Sequence, residues 1–311
     1  MTRLAIVVPC YNEEEALPET ARRLLALLTE LRDRGDVAAG SAIYFVDDGS
    51  RDSTWQLVST LAAADSRVHG IKLARNRGHQ NALLAGLFTA PGDAVISIDA
   101  DLQDDPEAMR GMLAAHRAGA EVVYGVRRAR DADTRFKRIS AEGYYRLLGG
   151  LGVEIKFNHA DYRLLSRRVI DALAQYGERN MFLRGIVPQL GFDSAVVHYD
   201  RAERLAGETK YPLGKMLAFA LEGVTSFSAA PLRAITLLGL AVSLLSFGGG
   251  IWTLWEGLVN DAVVPGWAST VVPVFFLGGI QLLSLGVIGE YVAKIYIESK
   301  QRPRYIVDRE V

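Results

Sequence analysis

VISIDADLQDDP, residues 95–106, runs from an apolar stretch straight into acid. Val95, Ile96 and Ile98 read as a buried strand, and Asp99, Asp101, Asp104 and Asp105 crowd its end, with Gln103 among them and Pro106 closing the run. Along a strand, residues i and i+2 share a face. Asp99 and Asp101 are therefore expected to aim at one point just beyond it. Two unpaired carboxylates so placed repel each other, and each prefers a cation. A hard, oxygen-seeking ion such as Mg2+ or Mn2+ suits the pair, with Gln103 as a further oxygen ligand and substrate phosphates completing the shell. The competing reading is that these aspartates cap the helix opened by Pro106. Asp104 and Asp105 are placed to do so, whereas Asp99 and Asp101 lie too far upstream. A bare Asp-x-Asp is common by chance, so its neighbours have to decide.

Outward from this stretch, strand and helix patterns alternate. LAIVVP (4–9), AIYFVDDGS (42–50), VHGIKLA (68–74), AVISIDA (94–100) and EVVYGVR (121–127) read as strands. Residues 13–31, 53–61 and 78–88, and the segment after Pro106, read as helices. The alternation predicts an α/β fold: a mainly parallel sheet flanked by helices, which binds ligands at the carboxyl ends of its strands. Those ends carry Tyr11-Asn12-Glu13, Asp47-Asp48, Arg75-Asn76-Arg77, Asp99-Ala100-Asp101 and Arg127-Arg128, so the polar chemistry gathers on one rim. Asp47-Asp48-Gly49-Ser50 also reads as a plain turn with a helix cap. Residues 129–228 hold a polar connector, helices expected near 135–149 and 166–176, and an Arg-rich stretch at 201–215.

The 311 residues carry a net charge of -1, which leaves no global basic field for nucleic acid. Half the residues are hydrophobic and mean hydropathy is +0.12, an excess concentrated beyond about residue 228. Cys10 is the single cysteine, which excludes an internal disulfide and a Cys-rich zinc site. Residues 1–212 are expected to form a catalytic domain, 213–228 an amphipathic interfacial helix, 229–290 a transmembrane hairpin with spans near 234–255 and 267–289, and 291–311 a C-terminal tail. Each span reaches about 33 Å against a bilayer core of roughly 30 Å. Met1-Thr2-Arg3 leads directly into a short strand, so no signal peptide is expected and the N-terminal domain is expected in the cytoplasm. Arg233, Lys294, Lys300, Arg302 and Arg304 flank the hairpin, whereas the loop around 256–266 carries Glu256 and Asp261 and no Lys or Arg; both termini are expected inside, in a multi-pass protein of the inner (cytoplasmic) membrane.

PCYNEEE (9–15), VDDGSRDST (46–54), LARNRGHQNALLAGL (73–87) and DADLQDDPE (99–107), in that order, resemble the family 2 glycosyltransferases of the Rossmann-like GT-A fold. DYRLLSRRV (161–169), YDRAERLAGETKYPLGKM (199–216) and the C-terminal hairpin resemble the polyprenyl-phosphate glycosyltransferase branch, which includes the dolichol-phosphate mannose synthases and the bactoprenol (undecaprenyl-phosphate) glucosyltransferases. The resemblance implies that Pro9, Tyr11, Asn12 and Glu13, with Asp47 or Asp48, contact the base and ribose of a nucleotide sugar. It further implies that Arg75, Asn76 and Gly78 lie near the donor, and that Asp99 and Asp101 hold the metal on its diphosphate. Asp161 would sit beside the sugar and share the catalytic role with Asp101.

A lipid phosphate acceptor needs cations near the membrane, and Arg127, Arg128, Arg201, Arg204 and Lys210 are the candidates. Their alternative is a solvated basic surface against anionic headgroups, at about 1 kcal/mol per charge. A phosphate monoester has a second pKa of about 6 and arrives already nucleophilic. Asp161 is therefore expected to orient groups or stabilise positive character at the sugar carbon more than to remove a proton. His159 reads as an ordinary polar loop residue. The expected activity is inverting transfer of a hexose, glucose foremost, from UDP-glucose to undecaprenyl phosphate, with mannosyl or modified-aminosugar transfer as the nearest alternative and a non-catalytic membrane scaffold as a distant one. A processive synthase is disfavoured because Gln-x-x-Arg-Trp is missing. The resemblance also implies a homo-oligomer and a separate flippase for the lipid product.

Overall fold

A computed structural model of the chain describes residues 1–128, 159–179, 181, 183–200, 230–259 and 267–311. Its strands are β1 (Leu4–Cys10), β2 (Ala42–Asp47), β3 (Val68–Leu73), β4 (Ala94–Ser97), β5 (Val122–Arg127), β6 (His159–Ser166), β7 (Ser194–Tyr199) and β8 (Val307–Glu310). The helices are α1 (Leu17–Asp33), α2 (Thr54–Ala64), α3 (His79–Thr89), α4 (Ala108–Arg117), α5 (Arg167–Ala174), α6 (Leu183–Gln189), α7 (Ala230–Val259) and α8 (Trp267–Ser299).

All eight strands join one sheet in the order β7-β5-β6-β4-β1-β2-β3-β8. β4, β1, β2 and β3 run parallel, as do β5 and β7, while β6 and β8 are antiparallel to their neighbours. Every residue of β1 and β2 is buried, the signature of strands covered on both faces. Leu17, Leu24, Leu28 and Leu31 of α1 pack on this layer at helical spacing, with Pro18 in the first turn. α3 lies close against β1: a Cβ on Gly86 would come within 2.3 Å of Val7 Cγ1, so only glycine permits this approach.

The five strands expected at the rim are present, and three further ones, β6, β7 and β8, are not foreshadowed. β6 slots antiparallel between β4 and β5, inside a region read as connector. β8 pairs with β3, and Gly70 and Val311 exchange backbone hydrogen bonds of 2.8 and 3.0 Å. Arg304 reinforces this return by donating to the carbonyls of Tyr176 and Glu178. Residues Arg302–Val311 therefore group with the α/β unit, while α7 and α8 belong to a second unit.

Two expectations need correction. β4 stops at Ser97, so Asp99 and Asp101 do not sit on a strand and their shared aim cannot be argued from strand alternation. The chain turns instead: Ile98 N–H donates to Val7 O at 3.1 Å, Thr20 Oγ1 donates to Ala100 O at 2.6 Å, and Leu102 takes a left-handed φ of 54°. α4 starts at Ala108, which leaves Pro106 in the turn before it. α5 fulfils the helix expected near 166–176, and the expected helices at 135–149 and 213–228 fall outside the described residues.

α7 and α8 are 30 and 33 residues long. Among the described residues, one helical stretch, Phe276–Ser299, is long and apolar enough to cross a membrane, and none of its most apolar window is buried.

Candidate active site

The rim is assembled from loops tied to one another. Asn12 adopts φ 54°, a left-handed geometry that Asn tolerates. Its N–H donates to Ser50 Oγ at 3.0 Å and its Oδ1 accepts from Arg51 N–H at 2.9 Å. Glu13 N–H donates to Thr54 Oγ1 at 2.9 Å. The exit of β1 is thereby stitched to the exit of β2, with Tyr11 exposed on top and Pro9 buried beneath.

The two aspartates ending β2 have separate jobs. Asp48 accepts from the N–H groups of Arg77 at 2.7 Å and Gly78 at 2.8 Å; burial raises its pKa, and these two donors oppose the rise. It thus holds the 75–78 loop in place. Gly49 lies so close under that loop that a Cβ would come within 2.6 Å of Asn76 N. Asp47 Oδ1 accepts from Ser50 N–H at 3.0 Å, while its buried Oδ2 has no hydrogen-bond partner among the described residues. A buried unsatisfied carboxylate oxygen is costly, and Asp104 Oδ2 on the same rim is left in the same condition. Arg75 and Asn76 are exposed, and Gly78 has φ 86°.

The second half of the rim follows from the β4–β6 register. Ser97 is the last β4 residue in register, paired with Arg163 of β6. Ser97 Oγ also donates to Asp161 O at 2.5 Å. The Asp161 carboxylate, 6 % exposed, receives Arg163 Nη2 at 2.5 Å, Arg184 Nη2 at 3.1 Å and Gln80 Nε2 at 3.4 Å. His79 Nε2 stands 3.6 Å from both Asp161 Oδ2 and Asp99 Oδ1, bridging the two carboxylates. Burial would raise the pKa of Asp161, but the His79 hydrogen bond and the Arg163 and Arg184 charges hold it well below the usual range. Burial would lower His79, and its two carboxylate neighbours leave it raised. Asp99 is pushed by burial, against the pull of His79 and with the added push of Asp104, Asp161 and Asp101, up to about 6.

Asp101 accepts from Gln103 N–H at 3.2 Å, and Gln103 itself is buried. Among the described residues, no three His, Cys, Asp or Glu side chains cluster so as to hold a metal. The donor set nonetheless fits a divalent ion whose shell is shared with substrate. Asp99 is a carboxylate raised by burial and then by neighbouring carboxylates, so its charged form is one that a cation would favour.

Asp104 corrects another expectation. It does not cap α4; it is buried and accepts from Tyr199 Oη at 2.5 Å and from Arg127 Nη2 and Nε at 2.9 and 3.1 Å. Asp105 Oδ1 instead accepts from Glu107 N–H at 3.0 Å, in the turn leading into α4. Arg127, expected at the acceptor, is thus engaged in locking the acidic turn to β5 and β7. Arg128 is exposed and faces Asp200 at 3.4 Å, while Arg201, Arg204 and Lys210 lie outside the described residues. His159 is a strand residue, the first of β6, and not a loop residue.

Sequence reasoning missed His79, Arg163 and Arg184 as site residues. His79 lay within a quoted motif directly after the left-handed Gly78, and Arg163 stood in the Asp-Tyr-Arg run; Arg184 carried no signal beyond its charge.

An open α/β sheet whose strand ends gather facing carboxylates around a histidine places a polar, ligand-binding rim where such sheets carry their sites. Residues 5–174 match the Glycosyl transferase family 2 model, and the chain belongs to that family. It is 51 % identical to the uncharacterized glycosyltransferase YkoT of Bacillus subtilis (strain 168), across 98 % of this chain and 91 % of that one. It is 42 % identical to the bactoprenol glucosyl transferase of Shigella phage SfV, across 99 % of both. Among solved structures, glucosyl-3-phosphoglycerate synthase of Mycobacterium tuberculosis aligns with a TM-score of 0.49 at 19 % identity, covering 72 % of this chain and 78 % of that one.

Asp161→Asn should lower kcat by about 100-fold or more through loss of preorganised charge. It should also destabilise the fold by about 3–5 kcal/mol, because Arg163 is left buried without its anion. Pairing it with Arg163→Met should restore much of the thermal midpoint and none of the turnover. Recovery of both would assign Asp161 to structure alone.

Proposed function

We propose that this family 2 glycosyltransferase moves glucose from UDP-glucose to undecaprenyl phosphate with inversion at the anomeric carbon. The observation that carries the reading is the Asp99–His79–Asp161 arrangement at the strand ends, in a chain aligned over nearly its full length with a bactoprenol glucosyl transferase. An acceptor phosphate oxygen attacks C1 of the sugar; the C1–O bond to the diphosphate breaks, and the bonding pair leaves with UDP. The acceptor is largely dianionic near neutral pH, so no proton has to be removed from it. That agrees with Asp161, an ionised carboxylate wrapped in cations and a poor base. It suits positioning and the stabilisation of positive character at C1.

Asp99, Asp101 and Gln103 would hold a divalent ion, Mg2+ or Mn2+, which when bound offsets the charge of the departing diphosphate. Asp47, Tyr11, Asn12 and Glu13 serve the nucleoside, and Arg75, Asn76 and Gly78 the donor side. We assign the acceptor phosphate to Arg128, Arg201, Arg204 and Lys210, with Arg127 positioning the acidic turn.

The membrane reading rests on exposed apolar surface. Leu237, Leu245 and Trp252 of α7 and Phe276, Leu282 and Leu285 of α8 are each more than half exposed, a surface that calls for a cover of lipid. Because β8 returns to the same sheet as β1, the chain on either side of α7 and α8 lies on one side of a bilayer. Two crossings by α7 and α8 meet that condition, giving a multi-pass inner-membrane enzyme with its active domain in the cytoplasm and its product awaiting a flippase.

The donor assignment is tested by offering the purified full chain, with undecaprenyl phosphate, a panel of radiolabelled nucleotide sugars. UDP-glucose should give the highest kcat/KM, and a clear preference for a GDP-linked or aminosugar donor would overturn it.

Metal binding should be visible without activity. Asp99 is raised, so the stability its protonated form contributes is lost as pH climbs from its ordinary value of 3.8 through about 6. A cation then replaces the proton. Mn2+ should raise Tm more at about pH 7.5 than at about pH 5, and Asp99→Asn should remove that pH difference along with turnover. An equal gain at both pH values would count against Asp99 as a ligand.

For topology, Cys10→Ser with Asn260→Cys should react with a membrane-impermeant maleimide on intact cells or spheroplasts. Cys10→Ser with Ser299→Cys should react only after lysis. The reverse pattern would place the active domain outside.

A further inference from the structure

Asp161 holds two guanidinium groups that are not equivalent. The Arg163 side chain is 2 % exposed, contacts Asp161 Oδ1 at 2.5 Å and donates from Nη1 to Leu183 O at 3.3 Å. It sits on β6, between β4 and β5, and has nowhere to go. Arg184 is 37 % exposed and makes longer contacts, 3.1 Å from Nη2 to Oδ2 and 3.4 Å from Nε to Oδ1. Arg163 is the partner that cannot leave, and Arg184 stands at the more exposed side of the pair.

That side is where His79 reaches from Asp161 to Asp99. The backbone bearing Arg184 is fixed there, since Leu183 N–H donates to Gln80 Oε1 at 3.3 Å and Gln80 Nε2 donates to Asp161 at 3.4 Å. A guanidinium fork in this place matches a phosphate with two parallel N–H···O bonds.

We infer that Arg184 is a phosphate-binding residue: its guanidinium, parked on Asp161 in the unliganded chain, turns to a phosphate oxyanion of substrate at the point of sugar transfer. Arg163 keeps Asp161 neutralised when it does so. The oxyanion belongs either to the departing diphosphate or to the attacking lipid phosphate. This inference rests on the transferase reading above and extends it to a residue from outside the recognised motifs.

The test compares wild type, Arg184→Gln and Arg184→Lys as full chains in detergent. UDP affinity is read by calorimetry with Mn2+, and KM for undecaprenyl phosphate at saturating donor. Loss of one charge-assisted contact predicts about a tenfold effect. A tenfold weaker UDP Kd in Arg184→Gln with little change in lipid KM identifies the donor diphosphate. A tenfold higher lipid KM with unchanged UDP binding identifies the acceptor. In either case Arg184→Lys, which keeps the charge and loses the fork, should recover part of the effect. If both constants stay within about twofold of wild type while kcat or Tm falls, Arg184 is only a counter-ion of Asp161 and the inference fails. Should wild type bind UDP but not use undecaprenyl phosphate, the acceptor assignment falls, and Arg184 is judged on UDP binding alone.

Discussion

A guanidinium buried on an inner strand cannot remain charged without an anion beside it, and Arg163 finds that anion in Asp161. The desolvation cost of such a pair is several kcal/mol per ion, repaid only by close geometry and further hydrogen bonds. Here the geometry comes from the sheet. β6 enters between β4 and β5, Ser97 pins the Asp161 backbone from the neighbouring strand, and His79 joins the Asp161 carboxylate to Asp99. The carboxylate at the centre of the site is therefore held by the same contacts that hold the middle of the fold. Its position does not depend on a loop.

This arrangement explains how a rim so rich in acid remains ordered. Asp48, Asp101, Asp104 and Asp105 each accept hydrogen bonds that fix a turn, and Asp104 in particular ties the acidic turn to Arg127 and Tyr199. Asp99 is the member whose pKa is lifted to about 6, by burial first and then by the neighbouring Asp104, Asp161 and Asp101 carboxylates, against the pull of His79. A structural acid is satisfied by the protein, whereas a ligand-binding acid is left to be satisfied by the ligand. By that criterion Asp99 stands apart from its neighbours, while Asp47 and Asp104 each keep one buried oxygen without a hydrogen-bond partner among the described residues.

The alternating pattern of the first 127 residues was legible because each strand is an apolar run closed by polar turn residues, and the parallel order follows from that alternation. What was not legible has physical causes. β4 is only four residues long, and no periodicity in VISIDA marks the point where it ends. β6 reads HADYRLLS, with Asp and Arg at positions that would be apolar in an ordinary inner strand; their mutual pairing is visible only in three dimensions. β8 is a four-residue strand of mixed polarity at the sheet edge, where half-buried pairing demands little hydrophobicity. Asp104 and Asp105 looked alike as caps, yet the one faces Tyr199 across 95 positions of sequence, a contact no local rule contains.

The chemistry required of the site is modest in one respect and severe in another. A dianionic phosphate needs no general base, so the protein is spared the task of tuning a carboxylate to accept a proton at neutral pH. It must instead bring two phosphate-bearing anions together, and their mutual repulsion opposes the approach. Cations distributed around an ionised anion answer that need: Asp161 keeps Arg163 and Arg184 gathered at one place, with His79 beside them, and prevents the two guanidinium charges from driving each other apart. The aspartate is best understood as the fixed negative centre that lets a positive pocket exist, and its low pKa is the consequence of that duty.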